Sequence, residues 1–78
     1  MKITLKLLVT FEKFLPPGSE KNMCEILIPS GSSVGEVLNM YNVPIEEAVV
    51  LVNGKSPKKD YILLEGDTLC AFPAAVGG

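Results

Sequence analysis

From Lys2 the chain alternates, with Ile3, Leu5, Leu7 and Val9 at one parity and Lys2, Thr4, Lys6, Leu8 and Thr10 at the other. A period of two predicts a half-buried strand over Lys2–Thr10, in which Leu8 is the apolar residue on the wrong side. Phe11 to Asn22 follows as a connection, punctuated strongly by Pro16-Pro17-Gly18-Ser19. Its Phe11, Phe14 and Leu15 are expected to pack back onto the edge of the core. Met23 to Pro29 resumes the alternation and predicts a second strand, with Cys24, Ile26 and Ile28 facing inward. The two strands together read as a hairpin with a long loop.

At Ser33 the period changes. Ser33-Val34-Gly35-Glu36 has the form of a capping box, in which the Ser33 hydroxyl accepts from the Glu36 amide and the Glu36 carboxylate accepts from the Ser33 amide. Val34, Val37, Leu38 and Tyr41 then recur at helical spacing and predict a stripe that lies on the inner face of the strands. Asn42 is the expected helix end, and Pro44 prevents continuation. Gly35 weakens the first turn by about 1 kcal/mol relative to alanine, so close helix–sheet packing is its expected purpose.

Ala48–Val52 is continuously apolar and reads as a third strand, covered on both faces or touching a partner on one. Asn53-Gly54 is a tight turn with positive φ. Lys55 to Asp60 is polar, Tyr61 to Leu64 is a short apolar segment, and Glu65-Gly66-Asp67 is another turn. Thr68–Phe72 is the last strand, and Pro73 suits its end because it has no N–H for the ladder. The order predicts an α+β fold with a mixed sheet of four to five strands and one helix packed across it.

Composition narrows the function. At this length of 78 residues a single core leaves about 3–5 kcal/mol of net stability, with no room for a buried multi-residue active site. The chain has seven lysines, no arginine, no histidine and nine carboxylates, for a net charge of −2. Nucleic acid is therefore not an expected partner, because phosphate contacts need a basic patch and arginine makes the best of them. The mild acidity suits docking to a basic groove on another protein. Cys24 and Cys70 match no metal or redox spacing and read as small hydrophobes in strands, with a disulfide between them left open. Asp60, Glu65 and Asp67 are expected to bond local amides and not to hold a metal, and Lys58-Lys59 reads as a solvated loop. No apolar run approaches the roughly 18 residues of a membrane span, and Met1-Lys2 leads into a strand and not a signal-peptide core, so the cytoplasm is the expected location.

Candidate chemistry lies in the last residues. Gly77 and Gly78 close the sequence directly after the apolar stretch Leu69 to Val76. With glycine at ~7% of residues, chance gives such a pair about once in 200 sequences. A carboxylate must be activated before it can be converted into anything else, most directly by attack on the α-phosphate of ATP. Ala74 to Gly78 span up to about 17 Å when extended, enough to reach into another protein's nucleotide site. The glycines lack Cβ atoms and can pass a narrow channel. Side-chain parity adds an outward apolar set of Leu8, Leu27, Leu51, Cys70 and Phe72, more than a solvated sheet should show. Leu51 and Phe72, beside the tail, are the expected docking residues; Leu8 and Leu27 either dock or pack beneath the Phe11–Asn22 loop.

The loop Pro16-Pro17-Gly18, Ile28-Pro29 before Gly31-Ser32-Ser33-Val34, Leu51-Val52-Asn53-Gly54, Leu64-Glu65-Gly66-Asp67, and Phe72-Pro73 running to Gly77-Gly78 occur in one order over nearly the whole chain. In this the sequence resembles the ubiquitin-like β-grasp sulfur carriers of the MoaD/ThiS family, and among them the small subunit of molybdopterin synthase. The resemblance implies a β-grasp domain over residues 1–73 and a flexible tail over 74–78. It implies that Gly78 is adenylated by a separate ubiquitin-activating-like enzyme that uses ATP, and that sulfur from a donor enzyme then makes a thiocarboxylate. Gly77, Val76, Ala75 and Ala74 would thread the partner's channel.

By the same resemblance the larger catalytic subunit of molybdopterin synthase receives this sulfur for the dithiolene that holds molybdenum or tungsten. The carrier would be a monomer alone, a hetero-oligomer with that subunit, without a stably bound cofactor, and not itself an enzyme. Family tails commonly carry a second proline where this chain has Ala74, which leaves the tail less stiff. A carrier for thiamine thiazole synthesis, a protein modifier and a non-covalent β-grasp adaptor are the alternatives. Two distant cysteines exclude a β-grasp iron–sulfur protein.

Overall fold

The computed structural model describes residues 1–58 and 60–74. Four strands, β1 (Lys2–Leu7), β2 (Met23–Leu27), β3 (Ala48–Val52) and β4 (Thr68–Pro73), form one sheet in the order β2-β1-β4-β3. β1 runs antiparallel to β2 and parallel to β4, and β3 is antiparallel to β4. The sheet is therefore mixed, and the one α-helix among the described residues, α1 (Val34–Met40), packs on one face of it, which makes the fold the ubiquitin-like β-grasp. The short apolar segment at Tyr61–Leu64 adds only an isolated bridge from Ile62 to Ser33, which leaves four strands.

The core lies between α1 and the inner face of the sheet. Ile3, Leu5 and Leu7 of β1, Ile26 of β2, Leu69 and Ala71 of β4 and Val52 of β3 are buried there under Val37 and Leu38 of the helix. Central strands covered by neighbours on both edges carry the most apolar residues, and here β1 and β4 supply the fully buried ones. Leu63 enters from the long connection after β3, held by its amide on the Ser32 carbonyl.

Both helix ends are as the sequence predicts. The Ser33 hydroxyl accepts from the Glu36 amide at 3.1 Å, and the Glu36 carboxylate accepts from the Ser33 amide at 2.9 Å. At the other end Asn42 adopts φ 64°, its amide reaches the Asn39 carbonyl, and the Val43 amide reaches the Leu38 carbonyl. This is a Schellman motif, with buried Val43 packed as its apolar lock.

Two expectations are corrected. β1 stops at Leu7 and not at Thr10, because the Leu8 amide makes the last bond toward β4 and the chain turns at Val9, whose φ is 58° and whose side chain is 63% exposed. Phe11, on a 3-10 helix over Val9–Phe14, fills the core in its place, with Phe14 and Leu15 packed beside it as expected. Gly35 does not serve close helix–sheet packing: a Cβ there would meet only the Ile45 Cδ1, at 3.9 Å, on the 3-10 turn Ile45–Glu47.

The disulfide left open by the sequence is disfavoured by the register. Cys24 stands opposite Leu5, and Leu5 opposite Leu69, so Cys24 and Cys70 lie on strands separated by β1. That is two strand spacings, about 9.5 Å, beyond the roughly 7 Å that a disulfide tolerates. Both thiols are free.

Candidate functional site

Parity places the site. Leu69 and Ala71 are buried against the helix, so Cys70 and Phe72 project from the other face of β4. Val52 is buried in the same sense, which turns Leu51 and Val49 outward on β3. Cys70 pairs laterally with Leu51 and with Lys6, and Phe72 pairs with Val49. Leu8 joins them through its amide on the Ala71 carbonyl. Leu8, Val49, Leu51, Cys70 and Phe72 are therefore one half-buried apolar patch on the face away from the helix, next to the end of β4.

Leu27 is not part of this patch. It pairs with Lys2, at the far end of β1 on the edge strand β2, and is 76% exposed, so neither the patch nor the Phe11–Asn22 connection covers it. Val49 was missed in the sequence, although it shares the parity of Leu51 and the alternation alone would have found it.

The chain leaves the sheet beside this patch. Pro73 stands opposite Ala48, and the Ala74 amide donates to the Glu47 carbonyl at 2.7 Å. Ala74 itself is exposed. Gly78, which carries the chemistry implied by the resemblance, lies outside the described residues, as do Gly77, Val76 and Ala75.

Burial pushes the Cys70 thiol above its ordinary pKa, and the Lys6 ammonium draws it part of the way back. Cys70 is thus a neutral apolar group at physiological pH and not a thiolate nucleophile. Among the described residues there is no group of three or more histidine, cysteine, aspartate or glutamate side chains that could hold a metal ion, and no helix is long and apolar enough to cross a membrane.

A polar clamp at the opposite end of β4 sets the strand's register. Asp67 is buried and accepts from the Leu64 amide, the Asn53 side-chain amide and the Tyr61 hydroxyl, each at 2.9 Å. The Asn53 side-chain oxygen accepts in turn from the Thr68 amide at 2.9 Å. Burial alone would raise the Asp67 pKa, but these hydrogen bonds, the Leu64 amide first, outweigh it and hold the carboxyl below its usual range. Asn53 was read as a turn residue only; it is also a brace between β3 and β4, and nothing in the local sequence connects it with Asp67.

A search of curated proteins returned no match. SAMP1 from Haloferax volcanii superposes with a TM-score of 0.73 at 17% identity, covering 100% of both chains. A putative molybdopterin converting factor, subunit 1, from Pyrococcus furiosus superposes with a TM-score of 0.73 at 20% identity, covering 95% of this chain and 98% of that one. A second structure of the H. volcanii small archaeal modifier protein 1 gives 0.70 at 20% identity, with the same coverage. These likenesses show a shared ubiquitin-like fold, in line with the MoaD/ThiS resemblance. Residues 1–76 match the Mut7-C ubiquitin family, and with nearly the whole length accounted for, the chain belongs to that family.

Proposed function

We propose that this protein is a sulfur carrier, charged at the carboxylate of Gly78 and acting as the small subunit of a molybdopterin synthase. An activating enzyme joins the Gly78 carboxylate to the α-phosphate of ATP, releasing pyrophosphate. A persulfide sulfur from a donor enzyme then attacks the acyl carbon and displaces AMP, and a thiol reduces the remaining S–S bond to leave the thiocarboxylate. The loaded tail, Ala74 to Gly78, enters the larger subunit. In this reading the carrier is cytoplasmic, binds no cofactor of its own and performs no catalysis alone.

The observation that carries the reading is the placement of the apolar patch beside the exit of β4. Phe72, Leu51, Val49 and Leu8 lie on the face that a partner must cover in order to receive a chain that leaves at Ala74. The family match and the likeness to a molybdopterin converting factor subunit support it. The likeness to a small archaeal modifier protein supports a second reading, in which the activated carboxylate is joined to lysines of other proteins.

One experiment separates the readings. The protein is incubated with its host's activating enzyme, ATP and a sulfur donor, and examined by intact mass. Exchange of one oxygen for sulfur at Gly78, lost in Gly78→Ala, is the expected result. Isopeptide-linked products favour the modifier, and an ATP-independent spectrum refutes both.

A further inference from the structure

Lys6 stands beside the apolar patch, and among the described residues it has no ion-pair partner. On the outer face it pairs laterally with Met23 on one side and Cys70 on the other, and Leu8 lies just beyond the end of β1. Among the described residues the only ion pair is between Lys2 and Glu25, at 3.9 Å. Glu25 lies two positions along β2 from Met23, the lateral partner of Lys6, and is directed at Lys2, while Glu20, bridged to Met23, makes no ion pair with Lys6. The outward positions of the four strands carry just three charged residues, Lys2, Lys6 and Glu25, so this face is net positive on a chain of net charge −2. Glu36, Glu46 and Glu47 are placed instead on the helix and the 3-10 turn after it.

From this arrangement we propose that the activating enzyme presents a carboxylate to Lys6, set within an otherwise apolar docking surface. The inference rests on the proposed function, taking the activating enzyme that charges Gly78 as a partner that covers this face. A partner that covers Leu8, Cys70 and Leu51 also covers the Lys6 column, since the three strands β1, β4 and β3 are adjacent. An ammonium taken out of water without an anion opposes binding strongly, whereas a paired one adds specificity and speeds encounter. The net charge of the chain suggested a basic partner groove; at this face the complement is acidic.

The test is the ATP-dependent adenylation of wild-type, Lys6→Met and Lys6→Arg proteins by the host's activating enzyme, followed as pyrophosphate release at low and high salt. Methionine keeps the aliphatic stem and removes the charge. The expected result is a KM for Lys6→Met raised by about 10–100-fold at low salt with kcat unchanged, and a KM for Lys6→Arg close to wild type. Wild-type KM should rise with salt while that of Lys6→Met stays flat. Equal melting temperatures show that the variants are folded. A Lys6→Met protein with wild-type KM and wild-type salt response overturns the Lys6 pairing and leaves the carrier function standing. No turnover of the wild-type protein overturns the docking reading and this inference with it.

Discussion

The Ala74 amide donates to the Glu47 carbonyl at 2.7 Å, fastening the chain to the start of β3 one residue beyond the end of β4. The family tails that this sequence resembles commonly have a proline at that position, and proline has no N–H to donate. Alanine here holds the chain by a hydrogen bond instead of by a ring. Ala74→Pro should therefore lower stability by about 1 kcal/mol, a fall in Tm of about 4–8 °C. A melt that is unchanged or higher refutes the role of this bond.

Asp67 makes the fold acid-sensitive. Its carboxyl has a lower pKa folded than unfolded, so its contribution is fully present above the ordinary carboxylate value, near 4, and is lost as pH falls through the lowered folded value. Asp67→Asn should cost about 1–3 kcal/mol at neutral pH, because an amide cannot accept from all three donors. The variant should also lose part of the wild-type decline in denaturant midpoint between about pH 5 and 2. An acid limb identical to wild type would falsify the assignment.

Tyr61 gives an independent view of the same clamp. Its hydrogen bond to Asp67 comes first among the causes that raise its pKa, followed by burial and the Asp67 charge. Tyr41 is raised by burial, then by Cys24. Both tyrosines should ionise above pH 10 in an ultraviolet titration, and Asp67→Asn should lower only the Tyr61 midpoint. A shift in neither tyrosine would place the hydroxyl away from Asp67.

Gly35→Ala should stabilise the protein. The added methyl meets nothing closer than Ile45 Cδ1 at 3.9 Å, an ordinary contact, and alanine favours the helix by about 0.5–1 kcal/mol. Thermal melts that show a loss instead would mean that the first turn of α1 approaches its neighbours more tightly.

Val9 stores backbone strain. A β-branched residue at φ 58° is disfavoured, and most of the side chain is exposed, so little packing compensates. Val9→Asn should raise stability by about 1 kcal/mol, measured as a higher denaturant midpoint at constant slope. A lower midpoint counts against the left-handed turn that ends β1.

Much of the fold was legible because its signals are local. The capping box at Ser33–Glu36 and the stop at Asn42 name the helix from a few adjacent residues, and Ala48–Val52 was bounded correctly by the Asn53-Gly54 turn. β1 was read too long because Val9 keeps the alternation even as its backbone turns away, and parity cannot report φ. Leu8, Leu51, Cys70 and Phe72 were found by the same parity, and Leu27 was grouped with them because a face is legible in one strand whereas position along a sheet is not.

The sequence by itself determined the helix, a sheet of four to five strands and the apolar parity within most of them, because periodicity and capping depend on neighbours within a few residues. Tertiary structure decided what meets what: the parallel pairing of β1 with β4 that sets Lys6 beside Cys70, the separation of Leu27 from Phe72, and the Asn53–Asp67–Tyr61 clamp. Those relations join residues far apart in the chain. They depend on strand order and register, which are set when the whole core closes at once and not by any local stretch of residues.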